Sequence, residues 1–342
     1  MSISKFLNQS QEATFIDVRS PGEYKKGHIP GAINIPLFTD SERVELGIAY
    51  KHQGKSTAIK DGLKIVGPKM ASMVAELEKH VKGESAVVKV YCWRGGMRSS
   101  SVAWLFETMG YKCYILEGGY KSYRTLMETL FNKFDILLIG GETGTGKTKI
   151  LYELKKQGEQ VIDLEKLANH KGSAFGAIGE APQPSNEHFQ NLVIDAFLKC
   201  DASKPLYLED ESSYIGKVIL PERLWQQMKI SPIIRISLPV ELRVENLVED
   251  YGKNEKSVLE ICIQKITKKL GGANTELSIK MLYDNNLEGV AGLMLNYYDK
   301  SYRTLLEKNK KNIVHTLEID YKSPQMIAEK VIAVHKSISI DV

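Results

Sequence analysis

Two short stretches of the sequence carry residues whose types and spacing suit chemistry on anions. The first is CWRGGMRS, in which Cys92 follows an apolar run and precedes a helical pattern, with Arg94 and Arg98 close behind. A thiol that faces the first backbone N–H groups of a helix and lies near arginines ionises more readily than a free cysteine. Cys92 is therefore predicted to be a nucleophile or a group carrier.

The spacing from Cys92 to Arg98 indicates the kind of ligand. Arg98 lies six positions after Cys92, which gives the pattern C-x5-R. Successive N–H groups of such a loop form an anion nest, and the arginine adds a planar fork of donors. The spacing predicts a tetrahedral, phosphate-like ligand. C-x5-R is also the signature of cysteine phosphatases, so a phosphatase is an alternative. It would need a general acid, and no spacing in the first half singles one out.

The second stretch is GETGTGKT, which completes the pattern G-x-x-x-x-G-K-[ST] between an apolar strand and an amphipathic helix. Backbone N–H groups of this loop and the helix N-terminus can hold a di- or triphosphate, and the lysine neutralises it. The predicted phosphate-binding residues are Gly141, Thr143, Gly144, Thr145, Gly146, Lys147 and Thr148.

An acidic run follows the strand PLYLED and is a candidate metal site. Asp210 and Glu211 come at the carboxyl end of this strand. In P-loop proteins an acidic residue there holds the metal, usually through water. With the hydroxyl of Thr148, the two carboxylates are predicted to bind Mg²⁺ at the P-loop. The alternative is a solvated strand end with no ligand.

The elements around Cys92 predict a small, mainly parallel α/β domain over residues 1–128. Strands are expected at ATFIDV, AVVKVY and YKCYIL, alternating with helices. Asp17 ends the first strand, where it is either a polar site residue or a cap for the next turn. The stretch from Gly47 to Met70 has no clean period, and we expect a long connection there that leads into a helix.

The second half predicts a P-loop, kinase-like α/β domain over residues 133–342 with an added helical segment. Asp163 ends its second strand and is a further candidate site residue. The Gly- and Pro-rich loop after it, with Ser173 and Phe175, is a candidate substrate cover or an inert insertion. Arg243 opens a series of basic residues in the helical run, which is either a solvated face or a binding surface for RNA phosphates.

Composition limits the remaining choices. The 342 residues suit about two domains, and a net charge of +4 permits an acidic partner such as RNA without requiring one. No apolar run approaches the roughly 20 residues of a membrane span, and no signal peptide opens the chain, so a cytoplasmic protein is expected. Four cysteines without a C-x-x-C pair argue against zinc and disulfides. Cys113, Cys200 and Cys262 are expected to be buried, inert thiols.

Residues 1–125 resemble the rhodanese family of sulfur-transfer domains. The resemblance rests on FIDVRSPGEYKKGHIPGAINIP near the start, on the cysteine loop, and on ILEGGY near the end. It implies that Cys92 carries a chalcogen as a persulfide or an analogous species. The loop is one residue longer than that of typical sulfurtransferases, which favours a larger anion than a bare sulfur.

The combination of both halves closely resembles the tRNA 2-selenouridine synthase family over nearly the whole chain. Further matching stretches are GIAYKHQGK, HKGSAFG with QPSNEHF, and SSYIG. The resemblance implies a transferase that replaces sulfur by selenium in 2-thiouridine at the tRNA wobble position. Its co-substrates would be geranyl diphosphate, which forms an S-geranyl intermediate, and selenophosphate, free or handed over by its synthase.

Under this resemblance the P-loop would receive the diphosphate of geranyl diphosphate, with Mg²⁺ at Thr148 and Asp210 or Glu211. The loop around Phe175 and Phe189 would cover the prenyl chain, because an apolar tail needs apolar walls. The C-x5-R loop would hold selenophosphate, and Cys92 would take its selenium and deliver it to the base. The alternatives are a P-loop phosphotransferase or NTPase with a regulatory rhodanese-like or cysteine-phosphatase-like domain, and a non-catalytic sulfur carrier or RNA-binding adaptor.

Overall fold

The chain divides into two compact units in the computed structural model. The structure describes residues 1–8, 13–81, 83 and 86–340, and it describes their side chains except at 301, 303–309, 339 and 340. The first unit comprises Met1–Thr129 and Ser185–Asp195, and the second comprises Leu130–Pro184 and Ala196–Val342. The sequence-based division at residues 128 and 133 did not anticipate that residues 185–195 group with the first unit.

The first unit is built on a parallel sheet, as the sequence predicts. Its strands in chain order are β1 Thr14–Asp17, β2 Ile33–Asn34, β3 Val87–Tyr91 and β4 Lys112–Ile115. They lie in the order β2-β1-β3-β4, and every described pairing is parallel. The apolar runs are buried because helices cover both faces of such a sheet. Cys92 directly follows the central strand β3.

The helices of the first unit include a pair that the sequence reading missed. They are α1 Ile3–Asn8, α2 Pro21–Lys26, α3 Asp40–Gln53, α4 Lys55–Val66, α5 Met70–Glu78, α6 Met97–Thr108 and α7 Gly119–Thr125. The expectation of a long connection after Gly47 is wrong, since α3 and α4 form a helical hairpin that turns at Gly54, where φ is +91°. A capping box of Thr39 and Glu42 starts α3.

The second unit is built on a five-stranded sheet of order β11-β10-β5-β7-β6. Its strands are β5 Ile136–Gly141, β6 Gln160–Val161, β7 Leu206–Glu209, β8 Tyr214–Ile215, β9 Val218–Ile219, β10 Ile233–Ser237 and β11 Ile313–Glu318. All described pairings of the large sheet are parallel, and β8 and β9 form a separate antiparallel pair. The P-loop strand β5 lies at the centre, between β10 and β7, which confirms the predicted fold class.

The helices of the second half of the chain cover the second sheet or form a separate helical cluster, except α10, most of which belongs to the first unit. They are α8 Lys147–Lys156, α9 Leu164–Ala168, α10 Asn186–Leu198, α11 Glu222–Met228, α12 Val240–Tyr251, α13 Lys256–Lys265, α14 Thr267–Leu270, α15 Gly272–Tyr283, α16 Leu287–Asn309 and α17 Pro324–Ile340. The first residues of α10 belong to the unit that carries Cys92. Helices α12–α16 bury their own apolar core, which includes Phe175, Ile263 and Leu282. Among the described residues, no helix is long and apolar enough to cross a membrane.

Candidate functional sites

Cys92 lies at the end of the central strand of the first sheet, where the chain turns into α6. Its side chain is only 3% exposed and belongs to the core cluster of this unit. The sulfur lies 3.3 Å from the hydroxyl oxygen of Ser99, in the first turn of α6. The strand therefore fixes the thiol, and the helix N-terminus supplies polar groups around it.

The surroundings of Cys92 favour its ionised form. Burial acts to raise the pKa of the thiol, but hydrogen bonds from the Ser99 hydroxyl and from the backbone N–H groups of Arg94, Gly96 and Ser99 outweigh it, and the pKa is lowered. Burial instead raises the pKa of Cys113 to about 12, and burial also raises the pKa of Cys200 and of Cys262. Cys92 is thus the one cysteine of the four whose surroundings favour the thiolate.

Two glycines bring the cysteine loop against the turn after β4. Gly95 has φ of +66°, and a Cβ there would lie 2.2 Å from the carbonyl oxygen of Leu116. A Cβ on Gly119 would lie 2.4 Å from the carbonyl oxygen of Cys92. The N–H of Tyr120 donates to this same carbonyl at 2.8 Å. Because only glycine permits such close approach, the two turns hold the N–H groups of the loop in place.

The two arginines of the loop have different positions. Arg98 is 23% exposed, and its guanidinium donates to the Glu23 carboxylate at 3.1 Å. The same carboxylate oxygen lies 3.9 Å from Nε of Arg43 on α3. Arg94 is exposed, and its backbone N–H is one of the donors to Cys92. Arg98 is thus paired with a carboxylate. An incoming anion would have to take the place of the Glu23 carboxylate.

Asp17 forms a buried ion pair with Arg19. Its carboxylate accepts hydrogen bonds from the Arg19 guanidinium. Nε of Arg19 lies 3.0 Å from both carboxylate oxygens, and Nη2 lies 2.6 Å from one of them. Both side chains are buried, and the guanidinium lies 3.8 Å from the ring centroid of Tyr120. Asp17 therefore stabilises the turn after β1, which corresponds to the second of its two predicted roles.

The P-loop turns tightly at two glycines before it enters α8. Gly144 and Gly146 have φ of +83° and +77°, and a Cβ on Gly144 would lie 2.8 Å from the Arg243 carbonyl oxygen. Lys147 starts α8, and its ammonium group donates to the Gly141 carbonyl at 3.1 Å. The hydroxyl of Thr145 donates to the carbonyl of Glu142 at 2.8 Å. The loop is thus ordered from within and presents its backbone N–H groups at a helix N-terminus.

Three carboxylates lie near the P-loop lysine and threonine, and a fourth lies behind them. Glu165 accepts the Thr148 hydroxyl at 3.0 Å, and burial with the nearby Glu211 raises the pKa of Glu165 to about 7. Burial raises the pKa of Asp210 to about 6, and burial also raises that of Glu211, although Lys147 opposes both shifts. Glu209 lies deeper, and one of its oxygens accepts the Glu165 backbone N–H at 2.9 Å.

This donor set suits Mg²⁺. Hydroxyl and carboxylate oxygens are the ligands that Mg²⁺ prefers, and it usually takes one or two carboxylates and keeps several waters. The second Glu209 oxygen is buried and has no hydrogen-bond partner among the described residues. Within the described part of the chain, no group of three or more His, Cys, Asp or Glu side chains is arranged to hold a metal by itself. Thr148, Asp210 and Glu211 would therefore complete a metal site only with water and a bound phosphate.

A cavity of about 570 Å³ opens over the P-loop. Its walls combine the loop, the acids and a group of tyrosines, and the residues are Gly141, Thr143, Gly144, Gly146, Lys147, Thr148, Lys149, Glu165, Lys171, Gly172, Ser173, Asp210, Glu211, Ser212, Leu247, Asp250, Tyr251, Tyr298 and Tyr302. The structure therefore brings Ser173 together with the predicted phosphate and metal residues.

An apolar cavity of about 60 Å³ adjoins the P-loop cavity. The two share Thr143, Ser173, Leu247, Tyr251 and Tyr298 as walls. The remaining lining is mostly aliphatic and comprises Phe175, Val248, Gly252, Leu259, Leu282, Leu287, Val290, Ala291 and Met294. The P-loop cavity thus borders directly on an apolar one. Phe189 does not line this cavity, because it is fully buried in the segment that groups with the first unit.

Two predicted site residues have structural contacts. Arg243 is 4% exposed and forms a bidentate pair with Asp299, at 2.8 and 2.7 Å. It also donates to the Thr143 carbonyl at 3.2 Å, so it supports the P-loop from behind. Asp163 caps α9 by accepting the Lys166 backbone N–H at 2.7 Å.

The sequence reading missed Glu165 and the tyrosines of the cavity. Glu165 lies two positions after Asp163, so a search for acids near the end of β6 would have reached it. Tyr251 and Tyr298 come from α12 and α16, far from the P-loop in sequence. Burial raises the pKa of each to about 12, so both phenols stay protonated at neutral pH. Nothing local to the P-loop motif indicates these helices.

Comparisons with known proteins match both halves of the chain. Residues 2–126 match the rhodanese-like domain, and residues 134–323 match the family described as the tRNA 2-selenouridine synthase AAA domain. The second match covers more than half of the chain and includes the P-loop, the acids and both cavities.

Relatives over most of the chain carry the name tRNA 2-selenouridine synthase. The protein of Nitrosomonas europaea is 31% identical, with 88% of this chain and 91% of the relative covered. That of Pseudomonas fluorescens is 35% identical, with 89% and 90% covered. A crystal structure of the N-terminal domain of a protein described as ATP/GTP-binding, from Clostridium difficile 630, is 42% identical. It covers 37% of this chain and 96% of that one, with a TM-score of 0.34.

Proposed function

The chain belongs to the tRNA 2-selenouridine synthase family, and we propose that it replaces sulfur by selenium in 2-thiouridine at the wobble position of tRNA. Membership supports an enzyme of tRNA modification. The finer proposal is that the exchange passes through an S-geranyl intermediate. The P-loop unit makes this intermediate from geranyl diphosphate, and the cysteine loop handles selenophosphate.

The observation that carries the proposal is the apolar cavity on the wall of the P-loop cavity. A ligand with a charged diphosphate and a hydrocarbon tail fits such a pair of neighbouring sites. The P-loop N–H groups and Lys147 would take the diphosphate, and Phe175, Leu282 and Met294 would contact the tail. A nucleotide would instead place a ribose and a polar base against this aliphatic wall and leave their hydrogen-bonding groups unsatisfied.

The first step joins the thio sulfur of the base to the first carbon of the geranyl group. The carbon–oxygen bond breaks, diphosphate leaves with the electron pair, and the base loses its N3 proton. Lys147 and the P-loop N–H groups stabilise the charge that develops on the leaving diphosphate. A Mg²⁺ ion held by Thr148 with Asp210 or Glu211 would supply further positive charge there. The step matters because an S-alkyl group departs as a thiol, whereas the thiocarbonyl sulfur is a poor leaving group.

The second step takes place at Cys92. Selenophosphate binds in the C-x5-R loop through its tetrahedral phosphoryl group, and Arg98 exchanges Glu23 for this anion. The Cys92 thiolate attacks phosphorus, so that a sulfur–phosphorus bond forms and the phosphorus–selenium bond breaks to release hydroselenide. Selenium then attacks C2 of the base and geranyl thiol leaves. Water hydrolyses the cysteinyl phosphate to phosphate, so selenium keeps its oxidation level throughout.

A reconstitution with defined substrates tests the function. We expect the purified protein to convert thiolated tRNA and geranyl diphosphate into S-geranyl tRNA, and to form 2-selenouridine once selenophosphate is added. Nucleoside mass spectrometry detects both products. ATP in place of geranyl diphosphate serves as the matched control, and it should give neither product. ATP hydrolysis without any tRNA product would overturn the proposal in favour of an NTPase or phosphotransferase.

The cysteine chemistry has a separate test. Cysteinyl phosphate should be trapped by acid quench after the protein meets selenophosphate or thiophosphate, and phosphate should be released. The Cys92→Ala protein should show neither. Normal selenouridine formation by Cys92→Ala, or a selenium adduct on Cys92 without bound phosphate, would contradict the attack on phosphorus.

A further inference from the structure

The helical hairpin α3–α4 of the first unit is not explained by core packing. No residue of α3 is buried, although it is a 14-residue helix. Large apolar side chains stand out from the hairpin into solvent, and these are Val44, Ile48, Tyr50 and Leu63, each more than half exposed. A helix that buries so little gains little stability from core packing. Such a surface is typical of an element that meets a partner.

The charge on the hairpin is divided between its base and its tip. The tip, residues 46–60, contains Lys51, Lys55 and Lys60 with His52 and has no Asp or Glu. Within the part of the chain that the structure describes, none of these three ammonium groups has a carboxylate within ion-pair distance. The tip therefore carries three exposed positive charges without an ion-pair partner among the described residues.

Two acids at the start of α3 already have partners. Glu42 accepts the Lys69 ammonium group at 2.5 Å, and the Asp40 carboxylate accepts the Gly22 backbone N–H at 2.9 Å. The first contact joins the start of α3 to the segment that follows α4, and the second joins it to α2. The lysines of the tip are exposed.

The base of the hairpin is also connected to the reactive loop. One carboxylate oxygen of Glu23 lies 3.1 Å from Arg98 and 3.9 Å from Arg43. Arg43 is in the first turns of α3, and Lys51 follows it by eight residues, which corresponds to about 12 Å along a helix axis. A partner that contacts the tip thus lies about two helical turns from the group that holds the arginine of the cysteine loop.

We propose that the tip of this hairpin, residues 46–60, binds the RNA backbone of the tRNA substrate while the modified base is at Cys92. The inference rests on the proposed function for the identity of the RNA. Its ground is charge complementarity, because a polyanion is the partner that fits uncompensated lysines without acids among them. Tyr50, which is 58% exposed, offers a ring on which an unpaired base can stack.

RNA fits this surface better than a lipid membrane does. The exposed apolar side chains of the hairpin stand beside the acidic Glu45 and Asp61, which an anionic membrane surface repels. The hairpin has no Trp or Phe, the residues that membrane-surface helices commonly insert. The lysines instead cluster at one end, where they would contact a few neighbouring phosphates.

A binding experiment with full-length protein tests the proposal. The triple variant Lys51→Gln, Lys55→Gln and Lys60→Gln removes the tip charges and keeps good helix formers. The control variant removes the same charge from exposed lysines elsewhere, with Lys79→Gln, Lys112→Gln and Lys156→Gln. Binding of thiolated tRNA is measured over a range of salt concentrations without geranyl diphosphate or selenophosphate, so its outcome is independent of whether the proposed chemistry occurs.

We expect the tip variant to lower the salt dependence of tRNA binding, with a slope reduced by up to about 2.7, or about 0.9 for each lost phosphate contact. The control variant should keep the wild-type slope. Tyr50→Ala should weaken binding about fivefold or more without changing the slope, because a stacking ring carries no charge. Equal slopes for tip variant, control and wild type would overturn the proposal. Loss of binding to anionic lipid vesicles with unchanged tRNA binding would also overturn it.

Discussion

The cysteine loop and the P-loop share one backbone design and differ in the charge around it. Each follows the central part of a parallel sheet and leads into a helix whose N–H groups face a ligand site. Around Cys92 these donors stabilise a negative charge on the protein itself. Around Lys147 several carboxylates with raised pKa values surround a single ammonium group. The first loop is thus suited to create a nucleophile, and the second to receive a cation and a charged leaving group.

The arginines near the two loops show the same difference. Arg98 is partly exposed and held by one carboxylate contact to Glu23, so a phosphate-like ligand can replace that partner. Arg243 is buried, bidentate to Asp299 and bonded to the P-loop backbone, so it is committed to structure. Arginine type alone therefore does not identify a ligand group. A ligand group is identified by the exposure of the arginine side chain and by the number of contacts that it already makes.

The largest expected effect comes from replacing the nucleophile Cys92, which should stop one step of the reaction and leave the other unchanged. Cys92→Ser should lower selenouridine formation by about 10⁴-fold or more, because a hydroxyl in the thiol's place does not ionise near neutral pH. S-geranyl tRNA should still form at the wild-type rate. Cys113→Ser is the matched control, since burial raises the pKa of that thiol to about 12. Loss of geranylation in Cys92→Ser would show that the two loops do not divide the reaction.

The next effect concerns the P-loop. Lys147→Ala should lower the rate of geranylation by about 10²–10³-fold, because one donor to the developing charge on the diphosphate is removed. Lys156→Ala, on the same helix but in an exposed ion pair with Glu153, should have no effect. Initial rates with saturating tRNA measure both. Undiminished geranylation by Lys147→Ala would mean that the P-loop does not hold the diphosphate.

The apolar cavity is a further difference between the two loops, because the proposal assigns an apolar tail site to the P-loop and none to the cysteine loop. Ala291 lines this cavity and is 7% exposed. Ala291→Phe fills the space and should raise KM for geranyl diphosphate about tenfold, whereas inhibition by inorganic diphosphate should stay unchanged. A thermal melt confirms that the variant folds. An unchanged KM in a folded variant would show that the geranyl tail does not bind in this cavity.

The smallest effect is a shift in pH dependence at Cys92. Ser99→Ala removes a hydrogen bond that lowers the pKa of the thiol, so the pKa should rise. Since the thiolate exists above its pKa, the pH profile of alkylation by iodoacetamide should move to higher pH. Ser100→Ala is the control, because its hydroxyl donates to Gly96 and has no described contact with the sulfur. Identical profiles for the two variants would contradict the role of Ser99.

Both loops were predictable from sequence because each is a contiguous motif. The C-x5-R and G-x-x-x-x-G-K-[ST] patterns fix residue types over a few positions, and the apolar strands before them are short and uninterrupted. The parallel sheets follow from the alternation of strands and helices. The helix α3 of the hairpin was not predictable from periodicity, since a helix that buries no residue has no apolar stripe to detect.

Contacts over long sequence separations could not be predicted. Glu23 and Arg98 are 75 residues apart, and Arg243 reaches Thr143 over 100 residues. Such pairs depend on the order of strands and on side-chain direction, which no local pattern contains. The grouping of residues 185–195 with the first unit has the same origin: Arg124 donates to Asn191 at 2.6 Å. No pattern in the loop before residue 185 predicts that residues 185–195 group with the first unit.

The most direct test of the divided reaction uses the S-geranyl tRNA made by one variant as the substrate of the other. S-geranyl tRNA produced by the Cys92→Ser protein is purified and given to the Lys147→Ala protein with selenophosphate, and nucleoside mass spectrometry follows 2-selenouridine. The account predicts conversion close to the wild-type rate, because the P-loop is no longer needed once the leaving group is in place. No conversion by Lys147→Ala, under conditions in which the wild-type protein converts the same tRNA, would contradict it.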